Sequence, residues 1–157
     1  METADFSGCN SLVTVGAYAF ENCHALRKAD FPDCPALERI GDRAFQSCDR
    51  METADFSGCT SLREIGNFAF GNCNNLKEVD LSGCPNLETI AQNAFENCSQ
   101  LGILHLCGST DNLSQYEIPD IRNSAVYVQD EEEISALPFS WREQAEVCPE
   151  HGGRRAR

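Results

Sequence analysis

Hydrophobic positions recur along this chain with a period of 25 residues. One period, residues 76–100, has the following inward candidates: Leu76, Val79, Leu81, Cys84, Leu87, Ile90, Ala94, Phe95 and Cys98. Val79 and Leu81 flank the polar Asp80, which is the alternation of a β-strand, whereas the later, wider steps suit a tight turning connection. The pattern therefore predicts one short strand and one turning connection in each period.

The repetition is nearly exact at the level of sequence. The nonapeptide METADFSGC stands at residues 1–9 and again at 51–59, and an Ala-Phe pair returns in every period. Full repeats are predicted at 1–25, 26–50, 51–75 and 76–100, with a partial repeat at 101–110. Because one coil cannot bury its apolar side alone, these repeats predict a stack of coils with parallel strands and a shared core, over residues 1–110. Glycines at 16, 41 and 66 are expected to allow a positive φ or a close backbone approach.

After residue 110 the composition changes, and residues 111–148 are predicted to form a connection and a C-terminal cap. Ala125–Val128 has the composition of a strand. Asp130 and Glu133 have the spacing of an N-terminal cap for a short helix that ends before Pro138. The cap is therefore expected to combine a strand with a helix.

A second capping pair, Ser140 and Glu143, predicts another helix that carries Trp141. This helix would supply the apolar cover that the end of a coil stack needs. The remaining residues, 149–157, are expected to form a disordered tail.

The spacing of one repeat resembles a leucine-rich repeat with cysteine at its asparagine position, on Leu76, Val79, Leu81, Cys84 and Leu87. The residues that follow make it similar to the BspA-like leucine-rich repeat: Ile90, Ala94, Phe95 and Cys98. The second repeat departs from the pattern with Pro32 and Asp33 where its neighbours have Ser-Gly. The resemblance implies an α/β repeat fold, a right-handed leucine-rich-repeat solenoid with a parallel sheet on its concave face and a small C-terminal strand and helix cap. It also implies a secreted or cell-surface protein-binding module that serves adhesion or host-factor binding.

The charge of the chain narrows the classes of partner. The 12 basic and 25 acidic residues give a formal net charge of −13, which disfavours nucleic acids and anionic lipid surfaces. No apolar stretch is long enough for a membrane-spanning helix, and the opening residues lack the pattern of a signal peptide, so the location stays open. We expect a protein partner, no nucleic acid and no membrane insertion.

Catalytic chemistry is not predicted. His24, His105 and His151 fall in separate parts of the repeat array and tail, so a nucleophile, base and acid would have to converge from a distance. Motifs for a nucleophile elbow, a phosphate-binding loop or a metalloprotease helix do not occur. The chain is interpreted as a non-enzyme without cofactors.

Cysteines form two periodic columns. Their gaps alternate between 14 and 11 residues, which does not match the short pairs of a zinc site, so no metal site is expected. In the resembling family both positions point inward, and a thiol there acts as a small apolar group that donates weakly to loop carbonyls. The predicted structural core therefore contains Cys9, Cys23, Cys34, Cys48, Cys59, Cys73, Cys84 and Cys98 together with Phe20, Phe45, Phe70 and Phe95. Cys107 and Cys148 break the period, and two alternatives stay open for them: a bridge from the last coil to its cap, or two free thiols.

Aspartates occupy the outward position of successive predicted strands, and His105 continues their line. Stacked strands would place these carboxylates about 5 Å apart, where like charges raise one another's pKa or attract a cation. Two alternatives remain open: neutralisation by solvent with Arg27, Lys28 and Lys77, or recognition by a basic partner or divalent cation. The predicted binding face consists of Glu2, Asp5, Arg27, Lys28, Asp30, Glu52, Asp55, Lys77, Glu78, Asp80 and His105.

An alternative function is a structural spacer or self-assembly element that uses its coil ends and flanks. In the first coil, Met1, Ala4 and Phe6 are expected on a terminal strand with Leu12 and Val15 just behind it, and no capping segment is expected before them. Exposed apolar side chains and an unpaired strand edge favour fraying, cover by other residues, or a symmetric homodimer through this N-terminal end.

Overall fold

The computed structural model describes residues 1–114, 119–121 and 123–149. In chain order its strands are β1 (Thr3–Asp5), β2 (Thr14–Val15), β3 (Lys28–Asp30), β4 (Arg39–Ile40), β5 (Thr53–Asp55), β6 (Glu64–Ile65), β7 (Glu78–Asp80), β8 (Thr89–Ile90), β9 (Ile103–His105), β10 (Ala125–Val128) and β11 (Ala145–Val147). A main sheet of seven strands has the order β1-β3-β5-β7-β9-β10-β11, and a second sheet of four has the order β2-β4-β6-β8. All neighbouring strands are parallel. The predicted solenoid with a parallel sheet is confirmed.

The second sheet replaces the turning connection that the sequence predicted. Ile40 pairs with Val15 on one side and with Ile65 on the other, so this part of the coil is also strand. Each of these strands has only two residues, and only one of them points inward. A strand that short contains no alternation, and the interpretation as a turn alone was therefore wrong.

Aromatic rings fill the interior between the two sheets. Phe31 stacks on Phe6 at a centroid distance of 4.4 Å and on Phe56 at 5.0 Å. A second column contains Phe45, which stacks on Phe70 at 5.3 Å and meets Phe31 edge to face at 6.3 Å. Each coil thus contacts its neighbours through large buried side chains in two connected columns.

Periodic thiols close the gaps beside these rings. In the second, third and fourth coils, the Sγ of each of the two cysteines donates to the carbonyl of the phenylalanine 28 residues earlier, at 3.0 to 3.3 Å. All ten cysteines are free thiols. Cys9, Cys23 and Cys98 pack against the core but stay partly exposed. For Cys9 and Cys23 the reason is that the described chain has no coil in front of the first.

Two of the three glycines after the second apolar step serve close approach. At Gly41 an added Cβ would lie 2.6 Å from the backbone nitrogen of Ala17 in the previous coil. Positive φ occurs instead at Gly8, Gly83 and Gly108. Gly66 lies equally close to the backbone of the previous coil, whereas an added Cβ at Gly16 would meet open space, so only Gly41 and Gly66 of the three serve close approach.

The C-terminal cap contains α1 (Glu131–Ala136) and a 3-10 helix over Phe139–Gln144. Asp130 caps α1 as predicted, because its side chain accepts a hydrogen bond from the Glu133 nitrogen at 3.0 Å. Trp141 is buried and its Nε1 donates to the Pro119 carbonyl at 3.2 Å.

The predicted capping pair Ser140 and Glu143 is wrong. Ser140 lies inside the 3-10 helix, which begins after Pro138 with no side-chain cap, and β11 follows it unpredicted. Residues 115–118 and 122 of the predicted connection and residues 150–157 of the predicted tail lie outside the described residues. Within the part described, no helix is long and apolar enough to cross a membrane.

Candidate functional site

The outer face of the main sheet presents two columns of side chains in register. One column contains Thr3, Lys28, Thr53, Glu78 and Ile103. The other, which we call the aspartate column, contains Asp5, Asp30, Asp55 and Asp80, and His105 continues it on β9. The residues between the columns are buried, from Ala4 to Leu104. The side chains of both columns therefore point away from the buried core.

Three of the four carboxylates are held by a hydrogen bond to the turn that follows their strand. The Ser7 nitrogen donates to Asp5 Oδ1 at 2.8 Å. Equivalent bonds from Ser57 to Asp55 and from Ser82 to Asp80 measure 2.8 and 2.9 Å. This is an Asx turn, in which aspartate accepts from the backbone two residues later. The Asp-x-Ser spacing of the repeats carries this signal, and the sequence analysis missed it.

Asp30 lacks this anchor because residue 32 is proline, which has no N–H to donate. Burial raises the pKa of Asp30, with a further rise from the charge of Asp55, and Lys28 partly offsets both. The pKa of Asp5 is lowered instead, by its side-chain and backbone hydrogen bonds with Ser7. The pKa values of Asp30 and Asp5 are therefore shifted in opposite directions, and Asp30 is protonated more easily than Asp5.

Two of the cations expected to neutralise the column are engaged elsewhere. Arg27 lies 3.2 Å from one Glu52 oxygen, and Lys77 lies 3.8 Å from the other. Lys28 is near Asp30 but forms no ion pair with it. Among the residues described, none of the four aspartates pairs with a lysine or arginine, and no group of three or more metal-binding side chains occurs. Neutralisation by Arg27 and Lys77 is therefore not the arrangement found.

The C-terminal end of the face has a different chemistry. His105 Nε2 lies 2.9 Å from Glu78 Oε1, and the imidazole stacks on Tyr127 at a centroid distance of 5.3 Å. A cavity of about 500 Å³ opens beside them, and the two non-periodic cysteines, Cys107 and Cys148, line it. The last coil and the cap therefore meet at an open cleft.

The other predicted site residues are not gathered into a reaction centre. His24 pairs with Asp49 at 2.8 Å on an exposed loop, away from His105 and its partner Glu78. His151 lies outside the described residues. Glu2 precedes β1, and its carbonyl accepts from the Arg27 nitrogen at 2.7 Å, so it flanks the same face.

Comparisons with known proteins identify one family model and two solved structures to which the chain is similar. The model of the BspA type leucine rich repeat region matches residues 2–121 in six copies. A T. pallidum leucine-rich repeat protein has a TM-score of 0.39 and 20% identity, over 87% of this chain and 79% of that one. A leucine-rich repeat protein from Bacteroides ovatus ATCC 8483 has a TM-score of 0.31 and 20% identity, over 74% of this chain and 43% of that one. No curated protein matches the chain.

The family match extends over residues 2–121, which is more than half of the chain. Solenoids of this kind typically present surfaces for protein interaction and are not typically enzymes. The chain belongs to the BspA-type leucine-rich repeat family.

Proposed function

We propose that this protein is a binding module that recognises a basic segment of a protein partner through the aspartate column. The observation that carries the proposal is the Asx turn at Asp5, Asp55 and Asp80, which holds one carboxylate oxygen. Within the described residues, the second oxygen of each has no hydrogen-bond partner, so it can accept from a ligand. A side chain that is already fixed loses little conformational entropy on binding.

The spacing of the column defines the partner further. Parallel strands repeat about every 4.8 Å, so the carboxylates form a regular line along the sheet. Lysine or arginine side chains on one extended segment or one helix face can follow such a line, and arginine can bind a carboxylate with two hydrogen bonds. The negative charge of the whole chain would also accelerate association with a basic partner. The form of this function that we propose is adhesion at a cell surface or binding of a host factor.

Replacing Asp30, Asp55 and Asp80 with asparagine is expected to lower affinity for such a partner by roughly tenfold or more, since it removes three charges from the interface without changing side-chain size. Isothermal titration at two salt concentrations measures it, and the salt dependence should shrink in the variant because exposed charges are screened over about 8 Å at physiological ionic strength. The same binding should weaken as the pH falls through the raised pKa of Asp30.

A matched control removes three carboxylates elsewhere: Glu21→Gln, Glu38→Gln and Glu96→Gln. This variant has the same net charge as the aspartate variant but keeps the column intact. Equal affinity losses in both variants would show that only net charge matters. An unchanged affinity in the aspartate variant would exclude the column as the recognition element.

Self-assembly is the second candidate, and the exposed edge of the first coil favours it. β1 and β2 are edge strands of the two sheets. Beside them, Met1 is 70% exposed, Val13 49% and Tyr18 53%. A symmetric dimer that pairs these edges would cover the apolar side chains and satisfy unpaired backbone groups.

The dimer is expected to dissociate when a charge is placed on this edge. Val13→Asp introduces a carboxylate at an exposed position, so the coil stack should remain folded while the apolar contact is lost. Light scattering over a concentration series compares the variant with the wild type. A wild type that stays monomeric at high concentration would rule the dimer out.

A further inference from the structure

The last coil and the cap bring two thiols together from distant positions in the sequence. Cys107 follows β9 and Cys148 follows β11, with β10 between those strands in the sheet. Cys107 Sγ lies 3.8 Å from the Tyr127 carbonyl, and the Cys148 nitrogen donates to the Val128 carbonyl at 2.8 Å. Both side chains line the same cavity, and the two thiols are close enough to exchange a hydrogen bond.

This pair differs from the periodic cysteines in access and in bonding. Cys48 and Cys73 are also neighbours, but both are fully buried, and each donates to a phenylalanine carbonyl at 3.1 or 3.2 Å. Cys107 is partly exposed, and its contact with the Tyr127 carbonyl is longer at 3.8 Å. An oxidant can therefore enter the open cavity and reach Cys107, whereas the periodic thiols of the inner coils are shielded.

We propose that Cys107 and Cys148 are the site of a disulfide that joins the last leucine-rich coil to the C-terminal cap. The oxidant is a low-molecular-weight disulfide such as glutathione disulfide. The Cys107 thiolate attacks one sulfur of that disulfide and releases a first small thiol, and Cys148 then attacks the mixed disulfide and releases the second. The two thiol protons end on the two released thiols, and the protein pair supplies the two electrons.

The surroundings of the pair make the bond slow to form and slow to break. Burial, with the neighbouring Cys148 and Glu133, raises the pKa of Cys107 to about 12. Asp80 and His105 face the same cavity. Little thiolate exists at neutral pH, so attack on an oxidant is slow. A thiol of high pKa is also a poor leaving group, so the finished disulfide resists reduction. Once formed, the disulfide is durable in an oxidising environment.

The disulfide would restrain the segment between Cys107 and Cys148, which contains β10 and both helices of the cap. A disulfide that closes a long loop stabilises chiefly by limiting the unfolded ensemble. When the cap opens, the disulfide limits the conformations that the detached segment can adopt, so opening gains less entropy. Amide exchange at Ala145–Val147 should therefore slow by on the order of tenfold on oxidation.

The test equilibrates the folded full-length chain with glutathione disulfide at mildly alkaline pH, quenches with iodoacetamide and maps disulfide-linked peptides by tandem mass spectrometry. We expect a Cys107–Cys148 link with the loss of two hydrogen atoms. Cys107→Ser and Cys148→Ser should each abolish it, whereas Cys23→Ser, at a partly exposed periodic thiol, should leave it intact.

Two results would overturn the proposal. One is a native protein whose Cys107 carries glutathione without linking to Cys148, which would mean that the thiols do not meet. The other is a link that forms only after unfolding in urea. Circular dichroism of each serine variant checks that the variant is folded. The amide exchange rate at Ala145–Val147, compared between oxidised and reduced wild type, tests the effect of the disulfide on the cap without any substitution.

Discussion

Phe70→Ala is expected to lower the free energy of unfolding by about 3 to 5 kcal/mol, as truncations of buried aromatic residues do. Phe70 is fully buried. Its ring stacks on Phe45 at 5.3 Å and on Phe95 at 5.5 Å, and it meets Phe56 edge to face at 6.1 Å. Truncation would leave a cavity at the junction of both aromatic columns, and the surrounding coils can relax only partly.

Urea denaturation followed by circular dichroism measures this loss. Phe20→Ala is the matched control, since Phe20 occupies the same repeat position in the first coil but is only partly buried. Its truncation should cost distinctly less, because fewer neighbouring atoms lose contact. Equal losses in the two variants would contradict the view that coil-to-coil stacking, rather than each repeat by itself, supplies the stability.

The main sheet and its outward columns could be predicted because the strand register follows directly from the repeat. Val79 and Leu81 point inward and Asp80 outward, and the 25-residue period places each aspartate beside the next. Parallel in-register stacking then requires an aspartate column. The fold and the location of the candidate face therefore come from periodicity and the family resemblance together.

The chemistry of the face was harder to predict because it depends on side-chain direction. In the sequence, Arg27 and Lys77 each lie three residues before the aspartate of the following strand and one 25-residue period from Glu52. The structure shows both cations at Glu52, which precedes β5 and belongs to neither column. Exposed ion pairs of this kind contribute little free energy each, so no simple rule of charge spacing decides which partner is chosen.

The cap was predicted only in part, since its elements follow local geometry rather than a repeat. The backbone nitrogen of Trp141 donates to the Pro138 carbonyl at 2.9 Å. A hydrogen bond over three residues is the step of a 3-10 helix. A Ser-x-x-Glu pair inside such a turn cannot cap a helix that has already begun. β11 has the short sequence Ala-Glu-Val, none of its residues is fully buried, and it shows no hydrophobic pattern that would predict a strand. Its pairing with β10 defines it as a strand.

Gly58→Ala is expected to destabilise the protein by about 2 to 3 kcal/mol, although it adds a single methyl group. An ideal Cβ at Gly58 would overlap the Pro32 carbonyl oxygen and lie 2.5 Å from the carbonyl carbon. Both are backbone atoms of the previous coil, so no rotamer change can relieve the overlap. The second repeat has Pro32-Asp33 in place of Ser-Gly, and its backbone lies against the third coil at this point.

Gly16→Ala separates this steric effect from the general effect of replacing glycine. An added Cβ at Gly16 has no atom within 4 Å, and its φ is not in the left-handed region, so the substitution should be neutral or slightly stabilising by reducing the freedom of the unfolded chain. Thermal melting of both variants gives the comparison. A Gly58→Ala protein as stable as the wild type would mean that the second and third coils can separate locally at little cost. Contact between those coils would then depend on the buried phenylalanine columns and not on close backbone approach at their edge.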